Sequence, residues 1–587
     1  MTLRELMDRR PALCAAGLIV LAALVRLWFV ATGQLDLVQD EAQYWDWTRH
    51  LQLTYYSKGP LIAWTIAAGC KLFGNTELGV RIGSIAGSAL TQALLYLWFA
   101  RGFRRPRTGV LAVLVFNTTM IFAGLGIVMT TDNAFTLFWL VCLMALDAAG
   151  RPRTAGAEAG AMAETATGTN LTGMGLAEGG PAGTGPAGTD LAEMASGPGR
   201  ARNWPFVVLA LGFGLGILAK YTMLGLAGLA GAYWLALVWR REAPRGMFWR
   251  LAAGLAAGLA LGFLPTLIWN MQHDFVGYKH VLYLIGAEGK QAQAFFHLQR
   301  VPEHLLAQLG LGTPWWLPFM FVGGWRAVRR GLNRSTAAPS PLAPYDPGAR
   351  RSLLLALFFW PVWGFFLLWS FHAKIMPNWT TVSYVAGVGL AALALDRALW
   401  PRRGAAGRTP RARIVARLGR AAVVAALVMF GVAHTFQYAP APDRYNPTNR
   451  LKGWTDLGRM VDEHRRADFA DPDKVFVFSN LYDMTAALAF YVPGQPRTYC
   501  AWIDSRRMNQ YDLWPGPEDK VGWDAIYVLK GQTDTDHPDN DIPTMFERVE
   551  GPIYVQTEYD GRPARTFTLF LCYNYNGLWP RQASGLY

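Results

Sequence analysis

Long uncharged apolar runs constrain this chain more than any other feature of its sequence. Crossing a bilayer takes about 20 apolar residues in a helix. Runs of that kind recur at 11–30, 79–100, 108–128, 133–149, 204–219, 221–239, 250–269, 304–325, 352–371, 377–396 and 414–436. About eleven spans are expected from them. Of the 587 residues, 52% are hydrophobic and only 16% charged, against about 25% charged in a typical soluble domain. The expected class is an all-α polytopic membrane protein. The first run follows a charged stretch, Met1 to Arg10. It is too long for the core of a signal peptide and closes on no small-residue cleavage site, so it reads as a retained anchor.

The net charge of +14 does not point to nucleic acid, because no basic stripe or reader motif accompanies it. The basic residues instead form clusters between the apolar runs: Arg9/Arg10, Arg101/Arg104/Arg105/Arg107, Arg151/Arg153, Arg240/Arg241/Arg245, Arg326/Arg329/Arg330 and Arg402/Arg403. These fall in alternate loops, which the positive-inside rule makes cytoplasmic. The alternation holds only if the segment from Gly59 to Phe73 lies in the interface or re-enters without crossing. The outer face then collects Val38–Glu77, Asp132, the 270–302 loop, the 372–376 loop and everything after about residue 437.

Two domains are expected, a membrane domain over 1–437 and a smaller one over 438–587. Within the first, residues 150–203 are mostly low-complexity Ala/Gly/Thr sequence that cannot bury a core, and read as a disordered cytoplasmic insertion. Residues 331–350 resemble a second, shorter flexible loop. In the second domain KVFVFSN and AIYVLKG have the apolar runs of strands, with TAALAFYV as a helix between them. They suggest a small α/β unit outside the membrane. Cys500 and Cys572 both lie there, as a pair or as two free thiols; no cysteine spacing suggests zinc.

Chemistry concentrates between Val38 and Arg81. Asp40 and Glu41 are followed by Tyr44, Trp45, Trp47, Tyr55 and Tyr56, then by Ser57-Lys58-Gly59-Pro60. A carboxylate at a membrane face is costly and implies a role. Asp132 sits in a very short outer turn, either as a second acid or as the cap of the following helix. Lys58, Arg81 and Lys220 are the complementary cations. Each by itself would snorkel to headgroups, but three converging on acids suggest a phosphate site. The aromatics fit an interfacial belt; crowding beside Asp40-Glu41 favours sugar stacking instead.

DEAQYWDWTRHLQLTYYSKGPLIAW and GNTELGVRIGS resemble the signature of bacterial family 39-type glycosyltransferases, relatives of protein O-mannosyltransferases and the lipid A aminoarabinose transferase. TTDNAFTLFWL, LAKYTMLGL, PTLIWNMQHDFVGYKHV and AKIMPNWTTVSYVA resemble further blocks of that family in the same order. LYDMTAALAFYVPGQP and RRMNQYDLWP are similar to the outer C-terminal region of one bacterial branch. The resemblance implies a GT-C fold and an inverting transfer of sugar from polyprenyl phosphate, undecaprenyl phosphate in bacteria, to a hydroxyl of a cell-envelope acceptor: lipid A, polysaccharide or protein. It implies an inner-membrane enzyme with its site and C-terminal domain in the periplasm. Asp40 matches the family's loop acid, Asp132 its second acid and Lys58 a lysine on donor phosphate. Arg81 and Lys220 are expected as further phosphate contacts and Glu41 beside the catalytic acid. Tyr44, Trp45, Tyr55, Tyr56 and His273 are expected to touch sugar or acceptor. In the aminoarabinose branch an acid precedes the lysine and helps hold a metal. Here Ser57 stands there, and His273 and Asp274 have no ligand spacing, so no cofactor or metal is predicted. The rival reading is a non-enzymatic flippase or transporter of lipid-linked glycans. That would place ionisable residues near the midplane with repeat symmetry, and neither is visible.

Overall fold

The computed structural model describes residues 3–151, 202–284, 296–332, 347–400, 410–435, 448, 451–503, 507–531 and 541–581. The low-complexity insertion and most of the 331–350 loop lie outside these residues. Among the described residues, eight helices are long and apolar enough to cross a membrane: Pro11–Ala31, Glu77–Gly102, Thr131–Ala149, Tyr221–Trp239, Met247–Gln272, Gly348–Trp369, Pro377–Leu399 and Ala412–Thr435. The chain is a multi-pass membrane protein.

The difference from eleven has physical causes. The 108–128 run breaks at Thr119, whose extended backbone separates Pro106–Thr118 from Met120–Leu125. The 304–325 run becomes Arg300–Gly312 and Trp316–Leu332, bent by 96° where Thr313 takes a positive φ of 66°. The 204–219 run forms a helix of 16 residues. The Gly59–Phe73 segment forms the helix Leu61–Phe73, of 13 residues or about 20 Å, too short to cross. It lies against the Glu77–Gly102 helix at glycines. A Cβ on Gly69 would overlap the Gly79 carbonyl, and one on Gly83 would lie 2.6 Å from Thr65 Cγ2.

Small residues also set the pairing of Trp204–Ala219 with Met247–Gln272. A Cβ on Gly254, Gly258 or Gly262 would lie 2.9, 2.6 or 2.6 Å from the carbonyl oxygens of Phe206, Ala210 and Gly214. This four-residue repeat of glycine lets the two backbones touch, as small-xxx-small motifs do in membranes. The contact fixes the helix that ends at Lys220.

From Trp454 onward the chain builds a five-stranded sheet in the order β2-β1-β3-β5-β4. Its strands are β1 (Val475–Ser479), β2 (Thr498–Cys500), β3 (Asp524–Lys530), β4 (Phe546–Tyr559) and β5 (Arg562–Tyr575). The first three pair in parallel and the last two add antiparallel. The two predicted strands and the predicted helix (Tyr482–Tyr491) are all present; the long β4–β5 hairpin is the addition. Cys500 on β2 and Cys572 on β5 are three strand spacings apart, about 14 Å, and none of the five cysteines forms a disulfide.

This domain is joined tightly to the membrane part. Asp36 accepts from Trp454 N at 2.7 Å and Thr455 Oγ1 at 2.8 Å. Tyr491 donates to Glu77 Oε1 at 2.6 Å and Tyr511 to Asp46 Oδ2 at 2.8 Å. Tyr56 N donates to Gln510 Oε1 at 2.7 Å. The Tyr482–Tyr491 helix packs on the helix Gln39–Trp47, which carries Asp40.

Candidate active site

Asp40 is the second residue of the Gln39–Trp47 helix. That helix begins at Val38, whose N–H donates to Glu41 Oε2 at 2.9 Å, a local return that fixes the first turn. The two adjacent acids then part company. Asp40 is accessible but its carboxyl lies in a crowded cluster with Lys58 and Asp483; among the described residues it has no hydrogen-bond partner. Glu41 is 0% exposed and fully engaged. It takes Arg81 Nη2 at 2.8 Å and Nε at 3.0 Å, and Met129 N at 2.7 Å. Arg81 spends its remaining donors on the carbonyls of Leu35 at 2.9 Å and Asp36 at 2.8 Å. Both residues were expected at the reaction centre. Their hydrogen-bonding capacity is consumed instead in tying three segments together.

Asp132 lies in the first turn of Thr131–Ala149, but it does not cap that helix. Thr130 is the cap, accepting from Asp132 N at 3.2 Å. The Asp132 carboxylate, 2% exposed as a residue, is gripped by Lys220 Nζ at 2.8 Å on Oδ1 and by Asn378 Nδ2 at 2.7 Å on Oδ2. Lys220 stands at a break, extended between the Trp204–Ala219 helix and the turn at Tyr221. Asn378 comes from a 3₁₀ turn, Pro377–Thr380. Three separate chain segments thus meet at one carboxylate.

Lys58 is half-buried and among the described residues its ammonium donates no hydrogen bond. Its backbone is held fast: Thr54 Oγ1 and Tyr55 N both donate to its carbonyl, at 3.1 Å each. A Cβ on the next residue, Gly59, would overlap the Leu218 carbonyl, so the turn sits directly on the helix that delivers Lys220. Burial pushes the ammonium's pKa down and nearby Lys220 adds to this, while Asp40 and Asp132 oppose it. Those couplings place Lys58 among all three charges. Around Asp40 the crowding of protein raises the carboxyl above its usual range; Lys58 opposes the rise, and Asp483 and Glu41 reinforce it.

The aromatics divide in the same way. Tyr44 feels both Asp40 and Asp132, and burial with those charges pushes its phenol well up; it faces the acids. Trp45 packs edge-on against Phe490 at 4.9 Å and donates to Asn75. Tyr55 stacks on Trp47 at 4.3 Å and donates to the Trp47 carbonyl. Both of these are framework, not sugar platforms. Tyr56 lies against His280 with ring centroids 4.6 Å apart. His273 stacks on Trp269 at 4.0 Å and shares a hydrogen bond with the Trp269 carbonyl, with no contact to Asp40, Lys58 or Asp132.

His280 is the histidine at the site. Burial, Lys58 and Arg507 together push its pKa down to about 4, and its buried Nδ1 has no partner among the described residues. Tyr482, Asp483 and Arg507 were also missed. The first two border Asp40 electrostatically, and Arg507 lies over Tyr283 at 5.3 Å. They lie in LYDMTAALAFYVPGQP and RRMNQYDLWP, the family-like blocks at the far end of the chain, and it was that resemblance, not spacing, that could have found them. Among the described residues no cluster of three His, Cys, Asp or Glu is arranged for a metal.

Residues 57–170 match the family model described as dolichyl-phosphate-mannose-protein mannosyltransferase. The chain is 26% identical over 392 residues to lipid A galacturonosyltransferase RgtD of Rhizobium johnstonii, covering 66% of this chain and 67% of that protein. It is 38% identical over 113 residues to undecaprenyl phosphate-alpha-4-amino-4-deoxy-L-arabinose arabinosyl transferase of Pseudomonas paraeruginosa. That match spans 18% of this chain and only 20% of the relative's length. The fold is that of ArnT from Cupriavidus metallidurans in the apo state: TM-score 0.58 at 15% identity, over 95% of this chain and 97% of that one. The same protein bound to undecaprenyl phosphate superposes with a TM-score of 0.56 over 94% of this chain and 97% of that one, at 16% identity.

Proposed function

We propose that this chain is a membrane glycosyltransferase that moves a sugar from a polyprenyl phosphate, undecaprenyl phosphate in bacteria, to a hydroxyl of a lipid A-type acceptor. The observation that carries the reading is the pairing of one uncommitted acid, Asp40, with one uncommitted cation, Lys58, inside a framework where the neighbouring charges are already paired. A sugar phosphate on a lipid carries its own leaving group, so a cation that neutralises the departing phosphate lowers the barrier. The acceptor hydroxyl then needs a base within reach. Asp40, unpaired and with a raised pKa, suits that task. Lys58 takes the donor phosphate, and the Asp132–Lys220 ion pair fixes the wall beside it.

Attack from the Asp40 side on the anomeric carbon, opposite the departing phosphate, gives inversion. The bond to the acceptor oxygen forms as the bond to phosphate breaks, and the hydroxyl proton passes to Asp40. Tyr44 and Tyr482 flank that path. The positive-inside pattern supports a periplasmic site in the bacterial inner membrane. Among the described residues no set of His, Cys, Asp or Glu is arranged for a metal, and the proposed reaction invokes none.

Asp40→Asn tests the assignment. It should abolish transfer from undecaprenyl-phosphate sugar to lipid A in reconstituted vesicles, with unchanged insertion and melting temperature. Wild-type turnover in that variant would refute it. Movement of the lipid-linked sugar across the vesicle membrane without glycosidic bond formation would instead support the transporter.

A further inference from the structure

The face opposite the Asp40–Asp132 site holds a cavity of about 870 Å³ that the transfer reaction does not use. It lies between the Leu3–Arg9 helix, the turn after Glu77–Gly102, and the far ends of the Trp316–Leu332 and Thr381–Leu399 helices. From Thr381, beside Asn378, to Asp396 at the cavity is about 23 Å along that last helix, at 1.5 Å per residue. The cavity is therefore separate from the catalytic centre.

Its lining is strongly basic. Five arginines (Arg104, Arg105, Arg107, Arg330 and Arg397) face two aspartates, leaving an excess of three positive charges. The aspartates serve as struts. Asp396 takes Arg107 Nε at 3.0 Å and Asp8 takes Arg107 Nη1 at 2.9 Å, and Arg107 lies over the Trp400 ring at 4.6 Å. Arg107 is thus a fixed part of the wall. Arg104 and Arg397 are exposed, while Arg105 reaches Asp396 only at 4.0 Å. Opening on the same cavity is the start of the Pro106–Thr118 helix, whose N-cap residue Arg105 makes no side-chain capping bond. Met7 and Trp400 add apolar wall.

We propose that this cavity binds the phosphate-bearing headgroup of an anionic membrane phospholipid. Two spanning helices, Glu77–Gly102 and Pro377–Leu399, end around it together with the apolar helix Trp316–Leu332, which sets it at the depth where headgroups lie. Arginine forks match phosphate oxygens bidentately, and basic pockets between helices on the positive face suit anionic lipid. The apolar wall accommodates the glycerol and upper acyl region. Arginines that only obeyed the positive-inside bias would have no need of a shared cavity.

The test uses the full chain in nanodiscs of phosphatidylcholine alone or with phosphatidylglycerol, with retained lipid read by native mass spectrometry. Wild type should retain phosphatidylglycerol selectively. The double variant Arg104→Gln/Arg330→Gln should lose about tenfold or more in apparent affinity, whereas Arg104→Lys/Arg330→Lys should keep most of it. Both should melt like wild type in phosphatidylcholine discs. Arg397→Gln, at an exposed position, serves as the second variant should the double glutamine variant misfold, with the same direction expected. Equal retention by wild type and the glutamine variants would overturn the proposal. So would inorganic phosphate at millimolar concentration displacing the lipid completely, which would assign the cavity to a soluble anion.

Discussion

Glu41 and Arg81 form a bidentate ion pair whose side chains are 0% and 1% exposed, one residue from the accessible Asp40. The pair joins the Asp40 helix, the start of the Glu77–Gly102 helix and, through Met129 N, the turn that delivers Asp132. It sets the distance between the two acids without touching the substrate path.

Removing either partner strands a buried charge, at a cost of about 3–5 kcal/mol. Glu41→Gln or Arg81→Met should therefore lower the melting temperature and the yield of inserted protein. The double variant Glu41→Leu/Arg81→Leu should recover much of that stability, because an apolar pair leaves no charge unpaired. Thermal unfolding in detergent checks both. A Glu41→Gln protein with wild-type stability and no activity would return Glu41 to the reaction centre.

Lys58 and Lys220 should separate cleanly in kinetics and stability. Lys58→Met removes a cation whose ammonium makes no hydrogen bond among the described residues, so the melting temperature should hold. KM for the lipid-linked donor should rise about 10–100-fold, the loss of one charged hydrogen bond of about 1.5–3 kcal/mol. Lys220→Met leaves Asp132 with Asn378 alone and should destabilise the fold. Adding Asp132→Asn should restore part of that stability but not the turnover.

The pH dependence has a defined sign. Asp40 must be ionised to act as a base, and its pKa lies above the usual carboxylate range, so the acidic limb of kcat/KM should be displaced upward. Lys58 must stay protonated and its pKa is lowered, so the alkaline limb should move downward and narrow the bell. Asp483 raises the Asp40 pKa. Asp483→Asn should accordingly shift the acidic limb to lower pH, leaving the alkaline limb in place. An unshifted profile would detach the C-terminal domain from the site.

Gly59→Ala probes the seat of the Lys58 turn. The new methyl has only the Leu218 backbone to meet, so the turn must lift and carry Lys58 with it. Donor KM should rise toward the Lys58→Met value with modest loss of stability. Ser57→Ala, one residue before Lys58, is the control.

Much was legible in the sequence because membrane solvation writes itself locally. A run of twenty apolar residues implies a helix, and clustered arginines imply one face, whatever the neighbours do. The segment Gly59–Phe73 was expected not to cross, from loop charge alone; its helix, Leu61–Phe73, has 13 residues. Thr119 and Thr313 were not readable as breaks, since only packing decides whether an apolar run stays straight. The four-residue repeat Gly254, Gly258 and Gly262 gains meaning only once its partner helix, Trp204–Ala219, is known.

Asp40, Asp132 and Lys58 could be singled out because acids and cations beside apolar runs are conspicuous. Their division of labour could not. Asp40 and Glu41 are neighbours of nearly the same chemistry, and helix phase alone leaves one beside Lys58 and Asp483 without a hydrogen bond and sets the other onto Arg81. Trp45, Tyr55 and His273 looked like sugar contacts until Phe490, Trp47 and Trp269 claimed them. His280, Asn378, Tyr482 and Asp483 lie in sequence blocks shared with the resembled family, but they reach the site from distances of hundreds of residues, and only the fold shows that they meet there. The sequence by itself determined the solvent this chain folds in and which residue types crowd beside its apolar runs. Only the tertiary structure decided which charges are spent on one another and which are left for a substrate, because pairing in a low-dielectric interior depends on contacts between segments far apart in the chain.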